Sequence, residues 1–261
     1  MSELNEMLKI AEKAAVAAGK HALKKRDTDL SVSRKSGFND LVTDADKECE
    51  ALIIRMVKRK FPRHSILAEE SGSSGSRESY TWVIDPIDGT TNFSHGFPFF
   101  CTSIAVMAGG NVKIGVVYDP SRKELFSAVT GKGAYLNGKR IKVTNIPEIN
   151  DALVSTGFSY DIKRKLLNIP YLKRMLAHAQ AVRRPGAAAL DICYVACGRF
   201  DGFWEFDLNP WDTAAGCLIL EEAGGKISTF DGGKFNIFKK EILVSNGRIH
   251  KKMMDILKGK K

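Results

Sequence analysis

The chain of 261 residues is 44% apolar and 9% aromatic, enough to fill a core and to exclude global disorder, and its length allows one large domain or two closely packed ones. Forty Lys and Arg against thirty Asp and Glu leave a formal charge of +10, which suits phosphorylated or polyanionic partners or a solvated surface, and decides nothing about fold. No run approaches the roughly 18–20 apolar residues that span a bilayer, and residues 1–20 lack a secretory pattern. The five scattered cysteines, with no CxxC, read as free thiols of a reducing cytoplasm.

Apolar residues at helical spacing from Met7 to Ala22 predict an Ala-rich helix over residues 5–26. After a polar loop, 27–39, a second helix is predicted over 43–60, with Cys49, Leu52, Ile53, Met56 and Val57 on one face and Phe61-Pro62 as its stop. Strand-like runs follow at 65–68 and 80–84, and the Gly/Ser-rich stretch between them, 71–79, reads as a mobile loop. Further β-type runs crowd together at 99–107, 112–118, 124–129 and 141–143, with hairpin signals at Gly109-Gly110-Asn111 and Asn137-Gly138. Beyond Ala152 the pattern alternates: strands at 152–157, 203–206 and 242–244, helices at 163–176, 187–197, 209–223 and 248–257. The expectation is an N-terminal half (1–146) of two helices on an antiparallel sheet and a C-terminal α/β half (147–261), with the boundary near 144–151.

Acidic residues close apolar strands in three places: at Glu69-Glu70, at Asp85 and Asp88 within Trp82–Asn92, and at Glu205 and Asp212 within Trp204–Asp212. Asp44 and Asp46 at the head of the second helix make a fourth. A buried charge needs a partner or a metal. These donors are hard oxygens without His or Cys among them, which suits Mg²⁺ and not Zn²⁺. Pro86 fixes a turn that lets Asp85 and Asp88 converge and lets the Ile87 carbonyl face inward. Gly89-Thr90-Thr91 reads as a helix start whose free N–H groups hold a phosphate. Metals beside an anion cradle are the parts for phosphoryl transfer to water.

Capping offers another reading of the same residues. Asp46 lies three after Thr43, Asp212 three after Asn209 with Pro210 between, and Asp88 stands as an N-cap before Gly-Thr-Thr. Caps do not explain why Glu69 and Asp85 close apolar strands. There is no GxxxxGK[ST] and no GxSxG. The two-residue gap between Asp85 and Asp88 argues against an aspartyl-phosphate route. The five His are dispersed, and only His95 lies near the Asp85 turn. Cys193 and Cys197 read as core packing.

With Lys35, Asp40-Leu-Val-Thr-Asp-Ala-Asp46, Leu67-Ala-Glu69-Glu70-Ser71, Trp82-Val-Ile-Asp85-Pro-Ile-Asp88-Gly-Thr-Thr-Asn92, Gly186-Ala-Ala-Ala-Leu-Asp191, Trp211-Asp212-Thr-Ala-Ala-Gly216 and Glu222-Ala-Gly-Gly225, the sequence resembles the inositol monophosphatase family. Those are Mg²⁺-dependent, lithium-sensitive phosphatases, and the likeness runs over nearly the whole chain. It implies a mixed α+β / α/β fold, a layered αβαβα sandwich, in a cytoplasmic homodimer.

The resemblance also implies two or three Mg²⁺ per site. Glu69, Asp85 and the Ile87 carbonyl would hold the first, Asp85, Asp88 and Asp212 the second, and Glu69 would help a weaker third. Thr90 would orient or help deprotonate the attacking water with support from Asp46. Gly89 and Thr90 N–H groups would cradle the phosphate. Glu205 and the turn from Gly186 to Ala188 would meet the alcohol, with Lys35 as an accessory.

The implied reaction is hydrolysis of myo-inositol 1-phosphate or a related polyol phosphate. Family members also act on fructose 1,6-bisphosphate, histidinol phosphate and nucleotide 3′-phosphates, and Asn209 stands where some relatives carry a His. A reading of another class is a regulator of transcription or RNA handling, as some bacterial relatives are thought to be. Lys24-Lys25-Arg26, Lys58-Arg59-Lys60 and 251–261 are basic, yet no aromatic-interleaved basic stripe accompanies them. A small phosphate monoester is therefore the expected partner, with neither membrane nor nucleic acid.

Overall fold

The computed structural model describes residues 3–26, 32–34, 41–75 and 80–259. Lys35 lies outside them. In chain order the elements are α1 (Glu3–Arg26), β1 (Val32–Arg34), β2 (Leu41–Thr43), α2 (Asp44–Lys60), β3 (Ser65–Ala68), β4 (Gly72–Ser74), β5 (Tyr80–Asp88), α3 (Thr90–Ser94), β6 (Cys101–Ala108), β7 (Asn111–Asp119), β8 (Glu124–Val129), β9 (Ala134–Leu136) and β10 (Lys139–Ile141). Then follow β11 (Leu153–Thr156), α4 (Ile162–Leu167), α5 (Ile169–Leu176), β12 (Ala181–Arg183), α6 (Ala188–Ala196), β13 (Gly202–Phe206), α7 (Pro210–Glu222), β14 (Lys226–Ser228), β15 (Glu241–Ser245) and α8 (His250–Leu257).

The first sheet has eight strands, ordered β10-β9-β8-β7-β6-β5-β3-β4. It is antiparallel throughout except that β3 runs parallel to β5, a departure from the all-antiparallel expectation. The second has five, ordered β12-β11-β13-β15-β14, with β12, β11 and β13 parallel and β15 and β14 antiparallel.

Side chains alternate across each strand, and this places three apolar layers. Trp82 and Ile84 of β5, Ile104 and Val106 of β6 and Ile114 and Val116 of β7 pack outward on α1 and α2. Val83, Ala105 and Val117 face the opposite way, onto α6 and α7, which also receive Phe203, Ile242 and Val244 of the second sheet. Val154, Trp204 and Leu243 point to the far side, against Met175 of α5 and Met253 and Ile256 of α8. The result is the αβαβα sandwich. Every residue of α6 is buried, as befits a helix between two sheets. The α7 backbone lies so close to β7 that a Cβ on Gly115 would meet the Ala215 carbonyl oxygen at 2.5 Å.

Three further expectations change, and five short strands were not foreseen. Part of the Gly/Ser-rich stretch is ordered as β4, paired with β3. The run near 141–143 is a strand two residues earlier, β10. The single helix expected at 163–176 is two, because Pro170 forces a break and Asn168 turns inward. The three-residue strands β1, β2, β9, β12 and β14 were too short to show a period.

Candidate active site

One cavity of about 360 Å³ opens where the sheets' strand ends face each other. Its walls include Glu69, Asp85, Ile87, Asp88, Gly89 and Thr90 from the first sheet's side, and Gly186, Ala188, Glu205 and Asp212 from the other. Expected site residues from both halves thus meet in one place. Asp46 stands behind Thr90, reached through a hydrogen bond.

Local structure explains how each side chain arrives. The pairing of β5 with β6 slips between Asp85 and Asp88, a bulge that Pro86 permits and that Thr102 Oγ1 secures by donating to the Pro86 carbonyl at 2.9 Å. The slip lets Asp85, Ile87 and Asp88 all reach the cavity. Gly89 then takes φ +93° to begin α3, a conformation that favours glycine. The turn that follows Glu69 is held by a residue the sequence reading did not single out: the buried Glu50 of α2 accepts from the backbone N–H of Glu70 (2.7 Å) and Ser71 (2.9 Å). The only signal was an acid in the middle of a helix's apolar side.

Two of the capping readings are correct and coexist with the site. Asp46 Oδ2 accepts from Thr43 N (2.7 Å) and Thr43 Oγ1 (2.6 Å), and Asp212 Oδ2 accepts from Asn209 N at 2.6 Å. The third is different. α3 begins at Gly89 with no side-chain cap. Asp88 reaches across the cavity instead and accepts from Ala188 N (3.2 Å) and Ala189 N (2.7 Å), capping α6. His95 ends α3 and does not line the cavity. The five cysteines are free thiols, with Cys193 buried inside α6.

Burial pushes the carboxyl pKa values up. Asp85 is raised well above its usual range by desolvation, then by the nearby charges of Glu69, Asp88 and Asp212. Asp88 rises to about 6 by burial, against the bond from Ala189 N–H. Asp212 rises to about 7 by burial and then Asp88. Asp46 rises to about 6 by burial, opposed by its bonds to Thr43. Glu205 is raised by burial and then by Asp191, with Arg184 pulling the other way.

The donor set fits a hard divalent cation. Asp85 Oδ1 is buried and has no hydrogen-bond partner among the described residues, a costly state unless a ligand meets it. Crowded carboxyls that repel one another are those a dication would hold ionised. Among the described residues no three acidic, His or Cys side chains are gathered tightly enough to hold an ion as they stand. A cation would have to draw them in.

A model described as the inositol monophosphatase family matches residues 3–259. The chain belongs to the inositol monophosphatase family. It is an enzyme of that phosphatase family, 43% identical over 258 residues to the inositol-1-monophosphatase of Synechocystis sp., covering 98% of this chain and 90% of the relative. It is 42% identical over 254 residues to Nus factor SuhB of Escherichia coli K12, covering 96% and 95%. A solved inositol monophosphatase from Anabaena superposes with a TM-score of 0.89 at 40% identity, over 100% of this chain and 98% of that one. An IMPase/NADP phosphatase complexed with Mg²⁺ and phosphate superposes at 0.86 with 26% identity, over 98% and 96%.

The cavity of this family member also holds residues that the sequence reading passed over. Phe158, Ser159, Tyr160, Asp207 and Lys240 line it. They sit in loops whose positions depend on the docking of the second sheet, so no local pattern announced them. No described helix is long and apolar enough to cross a membrane.

Proposed function

We propose that the protein is a Mg²⁺-dependent phosphomonoesterase that hydrolyses myo-inositol 1-phosphate and related polyol phosphates by direct attack of water. The observation that carries this reading is the meeting in one cavity of Glu69, Asp85, Asp88 and Asp212 with the start of α3 and, across from them, Glu205. Glu69, Asp85, the Ile87 carbonyl, Asp88 and Asp212 would hold two or three Mg²⁺. Bound there, the metal would supply Lewis-acid neutralisation of the phosphate and a water acidic enough to react near neutral pH.

The protein's own groups orient the rest. Thr90 Oγ1 lies 3.1 Å from Asp46 Oδ1 and 3.0 Å from the Ile87 carbonyl, both acceptors. Its hydrogen is therefore drawn away from the cavity, and its lone pairs are left to accept from the attacking water. Asp46, fixed by Thr43 and titrating at about 6, is matched to take up that proton through Thr90. Gly89 and Thr90 N–H groups at the helix start meet the phosphate. Glu205, with only acceptor lone pairs when ionised, suits neighbouring hydroxyls of the leaving alcohol. The enzyme works as a cytoplasmic homodimer.

Phosphate release should be measured with inositol 1-phosphate, fructose 1,6-bisphosphate, histidinol phosphate and adenosine 3′,5′-bisphosphate, each with Mg²⁺ and with chelator. Metal-dependent release highest for inositol 1-phosphate is expected. Release from none, or release indifferent to chelator, would refute the reading. A second reading, a regulator of transcription or RNA handling, has for its ground the relatives named Nus factor SuhB and the +10 charge. Binding driven by counterion release alone fades with salt. A sequence-selective RNA complex that persists at about 0.15 M salt would establish that role, and its absence, which we expect, leaves the enzyme alone.

A further inference from the structure

Asp207 stands out in the backbone. Three described non-glycine residues have positive φ: Lys123, Asn137 and Asp207. The first two sit in hairpin turns of the first sheet, where such residues are ordinary. Asp207, at φ +68°, lies on the cavity wall, two residues beyond Glu205. L side chains are disfavoured there, and the conformation persists only when its surroundings hold it. The backbone N–H of Asp207 donates to the Lys240 carbonyl, continuing the pairing of β13 with β15.

The side chain then closes a ring of bonds. Asp207 Oδ2 accepts from Ser159 Oγ at 2.6 Å, and Oδ1 accepts from the Arg164 guanidinium. Ser159 Oγ in turn accepts from Asp161 N at 3.0 Å, and Asp161 Oδ1 caps α4 by accepting from Arg164 N at 3.0 Å. One carboxylate thus ties both the loop before α4 and α4 itself to the end of β13.

The tied segment carries Phe158 and Tyr160 into the cavity. Phe158 packs under the Arg184 guanidinium, 5.9 Å from the ring centroid. The two ends of the segment are joined by the buried Asn168, whose Nδ2 donates to Thr156 Oγ1 (2.9 Å) and to the Gly157 carbonyl (2.7 Å), but between those ends little else holds it. α4 has six residues, too few to persist alone, and Leu166 and Leu167 are exposed. Few buried apolar contacts mean low local stability, so the position of this wall rests on the clasp.

We propose that Asp207 is a positioning residue whose carboxylate holds the 158–165 wall over the cavity and so sets which alcohols fit against Glu205. The proposal rests on the phosphatase reading above. It assigns Asp207 no contact with the reacting atoms. It predicts an effect on recognition of the alcohol and none on phosphate chemistry.

The decisive variant is Asp207→Gly, which keeps the backbone conformation at no steric cost and removes only the clasp. We expect KM for inositol 1-phosphate to rise about tenfold, the equivalent of one charge-assisted bond, with kcat and the turnover of p-nitrophenyl phosphate little changed. Proteolysis within 158–168 should quicken while Tm holds. Asp207→Asn keeps an acceptor for Ser159 and should fall between. Asp207→Gly and Ser159→Ala combined should fall short of the sum of their separate effects, because they share the Ser159–Asp207 bond while Ser159 Oγ alone still accepts from Asp161 N.

Unchanged KM and unchanged cleavage in Asp207→Gly would overturn the proposal. So would an equal loss on both substrates, or additive effects of the two substitutions. If the wild-type enzyme releases no phosphate from inositol 1-phosphate, the phosphatase reading fails by itself. Cleavage at 158–168 then still decides the clasp: faster in Asp207→Gly supports it, the same rate refutes it.

Discussion

Gly157, the residue after β11, has no room for a side chain. A methyl group on its Cα would lie 2.1 Å from the carboxyl carbon and from both carboxyl oxygens of Glu205. Carbon and oxygen settle at about 3.3 Å or more, so Gly157→Ala must displace one partner by about 1 Å. Gly157 is held, since its carbonyl accepts from Asn168 Nδ2 at 2.7 Å. Glu205 is the end of a side chain beside an open cavity, and it is the group that will move. Overpacking of this kind costs about 1–3 kcal/mol, or roughly 2–12 °C in Tm for a chain of this size. Misplacing a group that orients the substrate by about 1 Å costs on the order of 100-fold in rate.

Gly157→Ala should therefore lower kcat/KM for inositol 1-phosphate about 100-fold and leave p-nitrophenyl phosphate, which offers no hydroxyls, nearly untouched. Glu205→Gln is the companion. Loss of one charged acceptor, about 1.5–3 kcal/mol, corresponds to about 10- to 150-fold on the same substrate alone. The two variants should be compared by steady-state phosphate release over a Mg²⁺ titration. If Gly157→Ala behaves as wild type on inositol 1-phosphate, Glu205 does not orient the alcohol. If both substrates fall together and the Mg²⁺ requirement rises, Glu205 belongs to the metal centre and the reasoning is wrong.

Asp88→Asn and Asp212→Asn should each abolish turnover with the fold retained, as read by phosphate release and melting on one preparation; near-normal turnover with a loss of about 1 kcal/mol would mean that they serve only as caps. Lithium should inhibit uncompetitively with respect to substrate, as in the family it resembles, and steady-state kinetics at millimolar-order Li⁺ would expose a departure. The raised carboxyls give a signed pH effect. Asp88 and Asp212 reach about 6 and about 7 when folded, above their unfolded values near 4. The folded protein then holds more protons than the unfolded between those values, and metal-free stability falls as pH rises from about 4 to about 7. Mg²⁺ favours the ionised forms, so the increase in Tm that it produces should widen over the same interval; a gap independent of pH would contradict the assignment.

The long strands β5 to β8 were legible as near-continuous apolar runs between turn signals, as befits strands covered on both faces, whereas their stacking with the helices into a layered sandwich followed from the family resemblance and not from any period. The acids at strand ends were legible from those runs: a charge after Trp82-Val83-Ile84 has no place in a core. What stayed hidden depends on residues far apart in the chain. Nothing near Asp88 names Ala188 and Ala189 as its partners, some 100 residues on. Nothing near Gly157 names Glu205. Glu50 reads as an ordinary helix acid until the turn at Glu70 and Ser71 docks on it. The helix break at Asn168 was a different kind of omission, since Pro170 was in view and should have divided 163–176.

The cap that Asp88 places on α6 bears on how the enzyme matures. Asp88 belongs to the first sheet, and the amides it holds belong to a helix that follows the second sheet's first two strands. Until α6 arrives, Asp88 has only the weak Sγ–H bond from Cys101 of its own sheet to direct it. Until Asp88 arrives, the first turn of α6 keeps open amides in an apolar layer, a state that core packing resists. Each completes the other's hydrogen bonding. A chain that has formed only the first sheet lacks Glu205, Asp212 and the amides that hold Asp88, so the complete site exists only once the second sheet has docked.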